Sequence, residues 1–375
     1  MMITQQEHQA VSLTGSLENE RLQIALFHSS LPEDDRKPGG VTMVVHRLAN
    51  ALLKQGDHVT VFSLSPKPAG ARYDHVHLFS EYPWLDENRL ARLFLLPMLL
   101  NQVDFTGYDL LHTHGEDWFL FRRQLPTVRT LHGSALAEAR SATSLKRQIG
   151  QYVVYPLELL AQQLATITQA VGPDTQRHYR TPYLANNGVD LDQFTPGPKT
   201  SRPSVLFVGS WEGRKRGDFL YNIFTEQVLN HVPDAILHMV CERRASHKNV
   251  IFHERPDDEK LSQLYRNAWV FAYPSVYEGF GLPYLEAMAS GTAVLCSPNQ
   301  GAKYVLEDGA FGIIVPDQNF GSSLTKLLLN EGKRAKWASK GVKRAQAFSW
   351  AEIASQHRTL YREAIDVWRV NSFPN

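Results

Sequence analysis

Two glutamates, Glu278 and Glu286, stand eight positions apart in the run PSVYEGFGLPYLEAMASGTAVLCS, residues 274 to 297. The run reads as an apolar strand ending near Pro274, a glycine-punctuated loop at Glu278, Gly279 and Gly281, a helix carrying Glu286, and a further strand from Thr292. A strand, a glycine turn and a helix N-terminus in that order make an anion site, because free backbone N–H groups and the positive end of the helix dipole converge there. Phosphate is the expected guest. Glu278 precedes the helix, where a carboxylate reaches hydroxyls on whatever the phosphate carries; Glu286 lies about one turn inside it, at ~3.6 residues per turn. One acid on each side suits a sugar nucleotide, one for the hexose and one for the ribose diol. An isolated pair at this spacing reads more readily as two solvated glutamates on a capped helix. The Gly-Phe-Gly between them, and the small face Ala287, Ala289, Ser290 and Gly291 that lets the helix approach a sheet, outweigh that reading.

This run resembles the donor-site signature of the retaining glycosyltransferases of family 4, and the resemblance extends from about residue 22 to about residue 365. It implies an α/β protein of GT-B architecture, with two Rossmann-like domains facing across a cleft.

Other candidate residues lie at the ends of predicted strands. After the first strand the loop EDDRKPGG enters an amphipathic helix through Pro38, Gly39 and Gly40. Two glycines there permit close approach to a ligand, although a plain loop entering a helix fits the residues equally well; the family resemblance implies that Gly40 faces the donor diphosphate. His132 closes the run TVRTLHGS at the C-terminal edge of a strand, where open α/β sheets place ligands. A lone histidine is more often structural, but the resemblance implies contact of His132 and its peptide with the donor sugar. His112 and His114, in DLLHTHGED, end another strand and could shape the acceptor side, with a structural role preferred. The loop VGSWEGRKRGDFL presents Arg214, Lys215 and Arg216, cations able to neutralise a departing diphosphate. Here the chain departs from the family pattern, with Ser210 where an arginine is usual and Arg216 where a lysine is usual. Asn187-Gly188-Val189-Asp190 resembles a hinge turn of the family. Tyr304 and Glu307 are candidates only for the cleft wall.

These residues need elements to hold them. Apolar, β-branched runs alternate with helical patterns, which predicts parallel sheets with crossover helices. Strands are expected at LQIALFHS, HVTVFSL, YDLLHTH, TVRTLHG and ATITQA, then at SVLFVGS, AILHMV, NVIFHER, WVFAYPS, AVLCS and GIIVP. The proline-rich stretch DLDQFTPGPKTSRP marks a linker. The expected division is a leader at 1–20, a first domain at 21–195 joined by a returning tail at 352–375, and a nucleotide-sugar domain at 196–351. The return of the tail is implied by the resemblance alone.

Bulk properties narrow the function. A chain of 375 residues suggests two domains, and 43% hydrophobic with 21% charged residues describes a globular enzyme. A net charge of +1 argues against a general nucleic-acid binder. The two cysteines, Cys241 and Cys296, fall in strand-like runs and suit buried free thiols. The first residues lack the basic start and apolar core of a signal peptide. LARLFLLPMLL falls short of the ~20 residues of a spanning helix, so a cytoplasmic protein is expected. That same patch, with Trp84 before it and Arg92 inside it, reads as a core helix or as a peripheral membrane contact. The dinucleotide fingerprint after the first strand is absent, which disfavours a nicotinamide enzyme.

The resemblance implies transfer of a hexose from a nucleoside diphosphate sugar, expected to be a UDP-sugar, to a hydroxyl of a saccharide or lipid-linked acceptor in polysaccharide or glycoconjugate synthesis. The diphosphate would rest on the N–H groups of Gly279, Phe280, Gly281 and Leu282, with Arg216 or Lys215 supplying charge, Glu286 holding the ribose and Glu278 the hexose. With no Asp-x-Asp cluster in a convincing place, no metal or other cofactor is expected. A sugar-nucleotide epimerase of the same architecture and a non-catalytic sugar-nucleotide-binding protein are the alternatives.

Overall fold

The computed structural model describes residues 21–33, 39–142 and 144–372; the expected leader and Pro38 lie outside them. Two parallel sheets account for the strand-like runs. The first contains β1 (Gln23–Phe27), β2 (His58–Ser63), β3 (Asp74–His77), β4 (Leu110–Thr113), β5 (Thr127–Leu131), β6 (Ile167–Ala170) and β7 (Tyr183–Leu184), in the order β3-β2-β1-β4-β5-β6-β7. The second contains β8 (Ser204–Val208), β9 (Ile236–Val240), β10 (Val250–Phe252), β11 (Val270–Tyr273), β12 (Ala293–Cys296) and β13 (Ile313–Ile314), in the order β10-β9-β8-β11-β12-β13. Both are doubly wound, with strand order reversing beside the first strand of each sheet, and ligands of such sheets collect at the carboxyl ends near that reversal. β4, β5, β6, β11 and β12 are buried along their whole length, as strands covered by helices on both faces must be.

Two expected features differ. β3 and β7 were not foreseen: DHVH is a largely exposed edge strand carrying three polar residues, and the other is two residues long. LARLFLLPMLL is not one helix but a π-helical turn Ala91–Leu95, an α-helical turn Leu96–Leu99 and a 3₁₀ turn Leu100–Gln102; Leu96 and Leu100 face the core while Leu90, Phe94 and Met98 face outward.

The first sheet is covered on one face by the helix Gly40–Lys54 and the C-terminal helix Trp350–Ser372, whose Ala354, Tyr361 and Ala364 share a core with Val45, Leu48 and Leu52. Arg358 of that helix pairs with buried Asp57 at 3.0 Å. The second core takes the chain from Val189 and Phe194 onward. Val189 N–H donates to the Phe348 carbonyl at 2.7 Å, so the outgoing and returning crossings between the sheets lie side by side. Gly188 leaves room for that crossing, because a methyl group at that position would lie 2.5 Å from the Trp350 indole.

Candidate functional site

The loop after β8 and the loop after β11 meet because these strands are neighbours, and their meeting builds the site. Glu278 is buried, with 5% of its surface exposed. One carboxylate oxygen accepts from the Lys215 ammonium at 2.5 Å and the Ser275 hydroxyl at 2.6 Å; the other faces the Arg214 guanidinium at 3.1 Å. Burial alone would push the carboxyl up, but Lys215 and Arg214 outweigh it and hold Glu278 below the ordinary range. Desolvation acts the other way on Lys215, drawing its ammonium down to about 8 despite Glu278. The ammonium also donates to the buried Tyr273 hydroxyl and sits 4.8 Å from that ring's centroid.

Arg216 sits apart from this group. It occupies the left-handed region (φ 55) at the entry to the helix Gly217–Ile223, and its guanidinium turns to Asp317, with contacts of 2.6 and 2.8 Å, to the Pro274 carbonyl at 2.7 Å and to Ser297 at 3.0 Å. Arg216, expected along with Lys215 to supply charge at the diphosphate, is thus held by Asp317, Pro274 and Ser297, while the cations beside Glu278 are Arg214 and Lys215. Ser210, at the place of the missing arginine, closes its own loop by donating to the Glu212 carbonyl at 2.7 Å.

The helix bearing the second acid runs Leu282–Ala289 behind Gly281, whose φ of 106 only glycine adopts readily. Among the described residues, the N–H groups of Gly279, Phe280, Gly281 and Leu282 donate to no backbone acceptor outside helices and strands. The Phe280 side chain is buried against Tyr304 and Phe348, so only its peptide serves the loop. Glu286 is half-buried beside the Tyr265 hydroxyl, and desolvation pushes its carboxyl up despite that hydroxyl and the charge of Arg47.

The first lobe reaches this loop through His132. A methyl group on Gly279 would lie 3.0 Å from the His132 carbonyl oxygen, and one on Gly172 would lie 2.8 Å from the Gly279 carbonyl, so glycines permit the approach of two backbones. His132 Nε2 is 2.9 Å from His114 Nδ1 and the rings stack. Behind them His112 joins Tyr361 at 2.7 Å and Thr130 at 2.6 Å, confirming a structural place for His112. Desolvation holds His132 neutral, pushed down to about 3. Gly40 begins its helix with open space where a side chain would be, and Gly39 precedes it with ordinary extended geometry. Tyr304 donates across the lobes to Asn186 at 2.9 Å, whereas Glu307 is occupied by Arg344 at 2.6 Å.

Several residues beside the site escaped the sequence reading. Asn299 donates to the Ser275 carbonyl and Tyr284 hydroxyl, both at 2.9 Å, and so anchors the Glu278 loop. Buried Asp117 pairs with Arg129 and, at 3.3 Å, with Arg123. A cavity of about 410 Å³ opens in the first lobe beside His114, Glu116, Arg129 and His132. No local pattern marks these residues. Among the described residues no three His, Cys, Asp or Glu side chains converge as a metal site.

A glycosyl transferases group 1 model matches residues 190–344, and a Glycosyltransferase Family 4 model matches residues 38–193. The chain is a family 4 glycosyltransferase. It is 27% identical to a D-inositol 3-phosphate glycosyltransferase of Xylanimonas cellulosilytica, over 87% of this chain and 92% of the relative. It is 25% identical to a phosphatidyl-myo-inositol mannosyltransferase of Mycobacterium leprae, over 86% of this chain and 93% of the relative. The family 4 enzyme's GT-B fold matches sucrose-phosphate synthase from Thermosynechococcus elongatus with a TM-score of 0.75, 22% identity and coverage of 92% and 100% of the two chains. Anabaena HepE in complex with UDP and glucose matches at 0.65, with 17% identity over 91% and 100%.

Proposed function

We propose that this glycosyltransferase moves a hexose, with retention at the anomeric carbon and without a metal ion, from a UDP-sugar to an acceptor hydroxyl. The carrying observation is the burial of Glu278 between Arg214 and Lys215, next to a loop whose successive N–H groups, among the described residues, donate to no backbone acceptor outside helices and strands. Backbone donors and two fixed cations stabilise negative charge gathering on a departing diphosphate without rearranging. In this reading Lys215, one of the two cations first expected there, supplies that charge together with Arg214.

With both oxygens held by cations and its proton affinity lowered, Glu278 is a weak nucleophile. It orients Lys215 and Arg214 and presents its remaining lone pairs to hexose hydroxyls, while a phosphate oxygen of the leaving group takes the acceptor's proton on the face from which it departs. Glu286 binds the ribose diol, Gly40 leaves room for the diphosphate, and the neutral His132 and its peptide meet the sugar.

The curated relatives named for inositol 3-phosphate and phosphatidyl-myo-inositol support a polyol or saccharide acceptor, free or lipid-linked, in glycoconjugate synthesis. No helix among the described residues is long and apolar enough to cross a membrane; the proposed working place is the cytoplasmic side, in solution or at the membrane surface. The test is incubation with labelled sugar nucleotides and a panel of acceptors, with EDTA in a parallel series. Transfer with a retained anomer and no loss in EDTA is expected. Interconversion of free donor would indicate the epimerase, and binding without turnover a non-catalytic protein.

A further inference from the structure

Tyr277 stands immediately before Glu278 in the donor loop, yet its side chain leaves the second lobe. Its hydroxyl lies 3.9 Å from where a methyl group on Gly133 would be, in the first-lobe turn that follows His132. Burial pushes that hydroxyl up to about 12; the Ser134 N–H it faces opposes the shift, as does Arg214, while Asp174 and Glu138 of the first lobe add to it. The approach is incomplete. Among the described residues the hydroxyl is a buried polar atom with no hydrogen-bond partner. Leaving a buried hydroxyl unpaired is unfavourable, so a donor one small movement away exerts a pull.

The main chain of the same residue is tied to a donor-site cation. Arg214 Nη1 donates to the Tyr277 carbonyl at 2.7 Å while facing Glu278 at 3.1 Å, and the Arg214 carbonyl accepts from the Val276 N–H at 3.0 Å. Arg214 and residues 276–278 therefore move as one unit. A tyrosine has only two side-chain torsions before a rigid ring, so a shift of Arg214 reaches the hydroxyl with little slack. On the far side of Glu278, Gly279 lies against the His132 carbonyl. The two residues flanking Glu278 thus both meet the turn His132 to Ser134, one through its backbone and one through its side chain.

We propose that Tyr277 is a positioning residue: a diphosphate drawing on Arg214 brings the Tyr277 hydroxyl onto the Ser134 N–H, and the bond so made seats His132 and closes the first lobe over the sugar. The inference rests on the transferase reading above. Its consequence is selectivity between acceptor and water. Transfer and hydrolysis both break the bond from the anomeric carbon to the diphosphate oxygen and send the nucleophile's proton to the leaving diphosphate; they differ in whether an acceptor oxygen or a water oxygen forms the new bond. A gap held shut by this contact keeps bulk water out, so Tyr277 governs the ratio of the two outcomes.

The experiment is amide hydrogen exchange of the full chain with and without UDP, for the parent, Tyr277→Phe and the control Val276→Ala, whose side chain is exposed. Phenylalanine keeps the ring and deletes the hydroxyl alone, so the fold is retained. In the parent, UDP should slow exchange at 279–282 and also at 132–134, the latter at least about fivefold, the worth of one ordinary hydrogen bond. In Tyr277→Phe the first effect should persist and the second fall below about twofold, with Val276→Ala matching the parent. Labelled UDP-sugar and acceptor give the second readout: hydrolysis per transfer should rise at least about threefold in Tyr277→Phe with donor KM nearly constant, a split that a merely structural residue would not produce. Protection of the parent at 279–282 but not at 132–134, or Tyr277→Phe equal to the parent in either readout, overturns the proposal and leaves the donor site standing. Absence of protection at 279–282 overturns the donor-site reading, and the proposal with it.

Discussion

Glu278 holds two cations and a hydroxyl at once, and removing its charge disturbs all three. Glu278→Gln is expected to lower kcat at least about 100-fold, in keeping with the ~3–4 kcal/mol carried by one preorganised polar group, as read by initial rates with labelled donor. Glu286→Gln removes a binding contact only, so donor KM should rise about tenfold with kcat nearly constant. Lys215 supplies a pH test. Desolvation brings its ammonium down to about 8 against the attraction of Glu278, so the positive charge is present below that pH and lost above it. Donor kcat/KM should therefore fall as pH rises through about 8, and Lys215→Arg should carry the plateau to higher pH, because guanidinium stays protonated. Glu278 and Glu286 were legible in the sequence through glycine spacing and helix position. The partners of Glu278 were not: Lys215 lies 63 residues away and reaches it only because β8 and β11 are adjacent. Arg216 looked equivalent to its neighbours until its left-handed backbone turned it to Asp317.

At the scale of elements, glycines set how closely segments approach. Gly279→Ala would press a methyl against the His132 carbonyl at 3.0 Å, where neither backbone yields easily. The expected outcome is a fall in kcat of about tenfold or more with the melting temperature little changed, since the strain falls on the meeting of the lobes and not on either core. Gly188→Ala meets the Trp350 ring instead, and overpacking of this kind costs about 1–3 kcal/mol, measurable by urea unfolding. Eleven of the strands announced themselves because buried parallel strands are nearly continuous apolar runs. β3 and β7 did not, being short and lying at a sheet edge. The segment Leu90–Leu99 misled for a related reason: its apolar count suggested a core helix, yet only part of it finds a core.

For the whole molecule, the C-terminal helix is part of the first lobe's core. Tyr361 is fully buried and its hydroxyl meets His112 at 2.7 Å, so Tyr361→Ala should cost about 3–5 kcal/mol in chemical unfolding, by analogy with large aromatic truncations. Composition and length suggested two domains, and the proline-rich stretch suggested a junction after 195, whereas Val189 and Phe194 already pack in the second core; the destination of the tail was unreadable because its partners, Asp57 and His112, are more than two hundred residues upstream. The paired crossing at Val189 and Ser349 carries a mechanical consequence. Two tethers fastened to one another should resist twisting and bend together, so any opening of the lobes is expected about a single pivot line, like a book on its spine. Covalently locking that spine should freeze access to the donor loop while leaving each half as stable as before.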